Sequence, residues 1–161
     1  MRRGVVGVLF ITILASGCAT GGLHPGTGDI SFRISWTGMA DLDLYAVSPL
    51  GERLNFIRPA VESGGVLDID CNRRPDPTLE SAEGSSWLCA KPMENIYWPE
   101  GNAPEGTYKY WVVLADTRGL LETDVYRLEV RLGKQIIRSK SGNVAGLMTD
   151  PVNTEIDFLR Q

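Results

Sequence analysis

The stretch at residues 41–51, DLDLYAVSPLG, constrains the fold more than any other. Its period is two. Leu42, Leu44 and Ala46 point one way, and Asp41, Asp43, Tyr45 and Val47 the other, as in a strand half sunk in a core. Ser48-Pro49-Leu50-Gly51 closes it as a turn, with Pro49 presetting φ and Gly51 free to take a positive one. Strands of the same kind recur. In residues 29–36, Ile30, Phe32, Ile34 and Trp36 alternate with Ser31, Arg33 and Ser35. Residues 52–57 read as the hairpin partner of the Asp41 strand, with Leu54 and Phe56 in phase. Further strands read at 66–70, 94–98, 107–115, 124–132, 135–138 and 154–159. No amphipathic helix of usable length and no internal repeat is visible. Eight or so short strands at this spacing predict an all-β chain: a single antiparallel β-sandwich of jelly-roll or Greek-key type.

The N-terminus adds a location. Arg2 and Arg3 precede an apolar run at residues 4–14, too short to span a bilayer comfortably. Leu14-Ala15-Ser16-Gly17-Cys18 then resembles the bacterial lipobox. The resemblance implies cleavage before Cys18 and lipid on its thiol, and several acyl chains anchor where one would not. The other reading is an ordinary secretory signal cut near the same place. The chain divides accordingly: a lipoprotein signal peptide at 1–17, the lipidated Cys18 and a flexible tether at 18–28, and the sandwich domain at 29–161. Ala19 rather than Asp after the cysteine favours the outer membrane, facing the periplasm. His24, the one histidine, is a solvated linker residue.

Net charge is −4 at pH 7, and no basic run or arginine-rich stripe is present, which argues against a nucleic-acid partner. Of three cysteines, lipid takes Cys18 and leaves Cys71 and Cys89. In an oxidising compartment the simplest state of that pair is a disulfide, worth about 3 kcal/mol for a loop of roughly 18 residues. A zinc or redox pair is the alternative; it lacks a C-x-x-C spacing and a nearby histidine. Residues 71–92 hold no sustained period and read as a long loop that the disulfide would brace.

Taken in order, Trp36, Asp41-Leu42-Asp43-Leu44, Pro49-Leu50-Gly51, Gly64-Gly65, Leu67-Asp68-Ile69-Asp70, Glu94-Asn95-Ile96 and Pro104-Glu105-Gly106-Thr107-Tyr108 resemble the bacterial YfaP-like domain of unknown function. A more distant likeness is to the jelly-roll domains at the C-terminus of secreted peptidases. Tyr45 stands where that family commonly has histidine, and Met93 where it has proline. The resemblance implies a jelly-roll-like sandwich in the cell envelope and no established activity.

Three acidic motifs recur: Asp41 with Asp43, Asp68 with Asp70, and Glu94 with Asn95. If their strands are neighbours, the carboxylates converge. Calcium takes six to eight oxygens from such groups, so Asp41, Asp43, Asp68, Asp70 and Glu94 are candidate Ca2+ ligands, with Asn95 a weaker one. The alternative is a solvated strand surface paired with Arg33, Arg53 or Arg58. Catalysis by two carboxylates would need a sugar-sized cleft. Nucleophilic Ser-His or Cys-His chemistry lacks a usable histidine, so the chain reads as no enzyme. Trp87 and Trp98, in or beside the long loop, are candidate ligand-binding rings. The expected function is an envelope-anchored, non-enzymatic lipoprotein acting as a binding module. The alternatives are an inhibitor of an enzyme such as lysozyme and a carbohydrate- or peptidoglycan-binding module. The partners expected are the membrane through the lipid anchor and an envelope protein or cell-wall glycan.

Overall fold

Alternation along the first strand sets the layers. In β1 (Ile30–Trp36) the side chains of Ile30, Phe32, Ile34 and Trp36 are buried, and they form the floor on which the second sheet packs. The computed structural model describes residues 23–73 and 88–160. Residues 1–17, read as a signal peptide, and Cys18 and Trp87 lie outside them.

Nine strands follow in chain order: β1, β2 (Asp41–Val47), β3 (Arg53–Leu54), β4 (Val66–Asp70), β5 (Met93–Trp98), β6 (Gly106–Asp116), β7 (Val125–Leu132), β8 (Gln135–Asn143) and β9 (Asn153–Phe158). One 3-10 turn, Val144–Met148, separates the last two. One sheet has the order β4-β5-β1-β7-β8 and the other β3-β2-β6-β9. Every pairing between these strands is antiparallel. The chain is an all-β sandwich, as its alternation predicts. Between the sheets lie Phe32, Leu42, Leu44, Ile96, Trp98, Tyr108, Tyr110 and Val112, all at or near zero exposure. Phe32 sits among three rings, 4.7 Å from Tyr110, 5.9 Å from Tyr108 and 6.3 Å edge-on from Trp98. Such contacts contribute beyond the area they bury.

Cys71 and Cys89 are joined in a disulfide, with Cα atoms 5.7 Å apart. Asn72, beside it, has a left-handed backbone. Its side chain donates to the carbonyls of Gly38 and Ala40 and accepts from the Cys89 N–H. The disulfide is thereby knitted to the β1–β2 connection.

Two expectations change. β3 is two residues long, and Phe56, expected in the core, is over a third exposed. Asn55 is the reason: its side chain accepts from the N–H groups of Ile57 and Arg58, a local turn that competes with the ladder. The tether is also partly docked. Gly26 N–H donates to Asp68 and its carbonyl accepts from Asn95, while the ring of Tyr97 lies where a Cβ on Gly26 would stand.

Candidate functional site

Glu94 organises the seam between the two sheets. On β5 it shares a phase with Ile96 and Trp98, so alternation carries a carboxyl group into the core, where it is 1% exposed. It is held there by an unfinished strand edge. β3 pairs only with Ala46 and Val47 of β2, which leaves the earlier part of that edge uncovered. The Leu44 N–H on this edge donates to Glu94 Oε2 at 2.5 Å. A charged acceptor for an otherwise buried donor is a strong local bond.

Three more carboxyl groups surround it. Asp70 lies opposite Glu94 in the β4–β5 register, within reach for a carboxyl–carboxyl hydrogen bond. Asp41 and Asp43 come from β2 and are 5% and 8% exposed. Glu94 Oε1 and Asp70 Oδ1 meet no hydrogen-bond donor. Two acceptors can bond to each other only when one carries a proton. The surroundings bear this out. Burial, then Asp70, Asp43 and Asp41, push Glu94 well above the usual glutamate range, against the opposing Leu44 hydrogen bond. Burial and then Asp41 and Asp70 raise Asp43 to about 7. Burial also raises Asp70, with Arg73 opposing at 4.0 Å. On the rim, Arg118 bonds Asp116, the β6 partner of Asp41.

Of the five residues read as cation ligands, Asp41, Asp43, Asp70 and Glu94 are near enough to act on one another electrostatically, and Asp68 stands apart. Asp68 is two residues from Asp70, but the β4–β5 register shifts between Leu67 and Ile69. Its two oxygens accept from Gly26 N at 2.6 Å and Asn95 Nδ2 at 2.7 Å, so it fastens the tether and stays out of the seam. Asn95 is engaged with it and with Arg33. Of the arginines considered as partners, Arg53 lies over Trp111 at 5.4 Å, and Arg33 is near Asp68. Among the described residues, no group of three or more His, Cys, Asp or Glu side chains is placed to hold a metal ion. The four carboxyl groups are electrostatic neighbours that an ion would have to draw together.

Trp98 does not line a binding surface. It is fully buried, and its indole N–H is spent on Ser63 Oγ at 3.0 Å. Its phase with Ile96 already carried that information. Tyr45 and Trp111 are instead half-buried cross-strand partners on the outer face of the four-stranded sheet. Their rings stack at 5.1 Å and 9°. Burial and the nearby Asp43 and Glu94 raise the Tyr45 hydroxyl, which places it at the edge of the seam. Sequence reading put Tyr45 on the outward face but could not pair it with Trp111.

Two cavities among the described residues lie apart from these carboxyl groups. One, of about 550 Å³, is lined by Trp36, Tyr126, Arg127 and Gly142. Another, of about 470 Å³, opens between β8 and β9 over Tyr110, Leu128 and Val130. No family model matches this chain, and no curated protein or solved structure matches it.

Proposed function

We propose that the chain is a non-enzymatic binding module tethered to the cell envelope, with calcium held at the seam by Asp43, Asp70 and Glu94 and aided by Asp41. The observation that carries the cation is the Glu94–Asp70 pair, a buried glutamate beside a half-buried aspartate, in which Glu94 Oε1 and Asp70 Oδ1 meet no donor. Such a pair needs a proton or a cation between its members. A hard oxygen donor set with flexible geometry suits calcium. The ion would tie β2 of one sheet to β4 and β5 of the other.

The same geometry speaks against hydrolysis. Paired catalytic carboxyl groups in glycosidases stand about 5 Å or more apart, whereas Asp70 and Glu94 are within hydrogen-bonding reach. One Glu94 oxygen is already spent on the Leu44 N–H. Neither cavity described above includes a seam carboxylate. The tether reading rests on the Leu14–Cys18 motif and on the resemblance to YfaP-like envelope domains. A glycan-binding role is a second reading, carried by the Tyr45–Trp111 stack rather than by Trp98.

Melting of the detergent-solubilised chain tests the cation. With about 5 mM calcium over a site of about 0.5 mM affinity, binding to the folded state alone adds about 1.4 kcal/mol. That raises Tm by a few degrees. Chelator should reverse the rise and Asp43→Asn should abolish it. An unchanged Tm would leave a proton as the occupant of the pair.

A further inference from the structure

The charge of this acidic chain is unevenly spread. Residues 130–149 contain Arg131, Lys134, Arg138 and Lys140 and no acidic residue, although the net charge is −4. These cations lie on the β7–β8 hairpin, and β8 is an outermost strand of its sheet. Residues 134–141 are all exposed. Among them Ile136 and Ile137 are 39% and 40% exposed, adjacent aliphatics set among basic residues.

The same hairpin holds the incoming chain. Gly133 N–H in its turn donates to the Gly28 carbonyl at 2.9 Å, with a longer contact to that of Asp29. Gly28 lies so close to the Trp98 carbonyl that a Cβ there would overlap it. Gly26 is fixed by Asp68 and Asn95. The chain therefore enters the domain at a fixed place beside the hairpin end. Cys18 precedes Gly28 by ten residues, at most about 35 Å of extended chain.

We propose that the exposed end of the β7–β8 hairpin rests on a bilayer surface bearing anionic headgroups. Ile136 and Ile137 enter the headgroup boundary while Lys134, Arg138 and Lys140 meet the phosphates. Aliphatic side chains flanked by basic ones make the interfacial pattern, and each cation near an anionic surface adds to the attraction. Arg131 is partly occupied by Glu129, and Arg138 and Lys140 also reach Glu155 O and Asp150; Lys134 projects from the turn. The inference rests on the tethered reading, because the tether brings this end within reach of the membrane.

The test reconstitutes the full chain into neutral zwitterionic vesicles and into vesicles with about 30% anionic lipid. Flotation reports the anchor, and amide exchange over residues 134–141 reports the surface. The expected result is flotation with both. Exchange should slow about tenfold with anionic lipid only, and about 0.5 M salt should reverse it. The pair Lys134→Glu and Lys140→Glu should lose that protection at an unchanged Tm. Ile137→Ser, which leaves the charges in place, should lose part of it. A chain that does not float with neutral vesicles removes the anchor and the docking with it. A chain that floats but exchanges equally fast in both removes the docking alone. Equal protection in both lipids that grows with protein density assigns the open edge of β8 to a second copy, and overturns the proposal.

Discussion

β1 has a glutamate on either side of it, and the two are opposites. Glu94 on β5 stands beside Ile34 in the core phase, and its charged neighbours are the carboxyl groups Asp41, Asp43 and Asp70. Glu129 on β7 stands beside Arg33 on the outer face of the same sheet. Arg127 and Arg131 clamp it at 2.7 Å each. Burial alone would raise Glu129, but hydrogen bonds and charge from Arg131, then Arg127, hold it below the usual glutamate range. Both residues are largely buried, at 1% and 9% exposure. Glu94 is the deeper of the two, and burial is the largest cause of its rise; the sign of the neighbouring charge widens the difference. A satisfied carboxylate is structure. Glu94 is satisfied at one oxygen only, by the Leu44 N–H, and its other oxygen meets no donor.

The largest break in this comparison is Glu94→Ala. It leaves a void in the core and strands the Leu44 N–H, and together these should cost about 3 kcal/mol. Glu94→Gln should do the reverse in chelator. It keeps an acceptor for Leu44, supplies a donor to Asp70 and removes a charge, so Tm should rise while the calcium response disappears. A Glu94→Gln protein that melts below the parent in chelator would show that the pair is not starved of a donor.

The two regions also answer pH with opposite signs. Asp43 binds its proton more tightly folded than unfolded, with a folded value of about 7 against an ordinary 3.8. In chelator the seam thus stabilises the fold below that ordinary value, and the stability declines as pH rises toward about 7. Allowing for solvent screening, the decline between pH 5 and 8 is about 1 kcal/mol, and Asp43→Asn should flatten it. Calcium should flatten it as well, by neutralising the same charge. Glu129 works the other way: its contribution is present above the unfolded glutamate range and is lost as the clamp protonates below it. Chemical denaturation across pH, with and without calcium, reads both. A seam that becomes more stable with rising pH in chelator would remove the raised carboxyl groups from the account.

Much of the sandwich was legible in the sequence because alternation is local. Ile30–Trp36, Asp41–Val47 and Tyr108–Val112 show their buried faces in their own residues. The errors arise where a local competitor or a distant partner decides. Asn55 ends β3 through its own side chain, although Leu54 and Phe56 alternate as a strand would. Glu94 and Trp98 both carried a readable signal, their shared phase with Ile96, which outweighs proximity to a loop. That Asp41, Asp43, Asp70 and Glu94 would be electrostatic neighbours was only a conditional expectation, since it depends on β2 of one sheet lying beside β5 of the other. The separation of Asp68 from Asp70 was not legible at all. It follows from a register shift in β4, and residues two apart in an ideal strand would have shared a face.

A smaller effect sharpens the contrast from the clamped side. Glu129→Gln keeps one acceptor oxygen, so only one of Arg127 and Arg131 stays hydrogen-bonded, and no negative charge lies between them; Arg33 is already lowered by burial and Arg131. The cost should be about 1 kcal/mol, shrinking as salt screens the arginines. Calcium should not alter it. A calcium-dependent change at Glu129→Gln would mean that the two regions are coupled through β1 rather than independent across it.

Asp68 and Asp70 repeat the comparison within one strand, and Asp68 should give the smallest effect. Asp68 already has its donors in Gly26 N and Asn95 Nδ2. Asp68→Ala should therefore lower global stability by only about 0.5–1 kcal/mol. Its effect should be local, with faster protease cleavage at residues 23–28 once Gly26 is released. Asp70→Asn, two residues on, should leave that cleavage unchanged and raise Tm in chelator by supplying Glu94 with a donor. If both substitutions loosened residues 23–28 equally, the register shift in β4 would not be partitioning the two carboxylates. Asp68 would then belong with the seam after all.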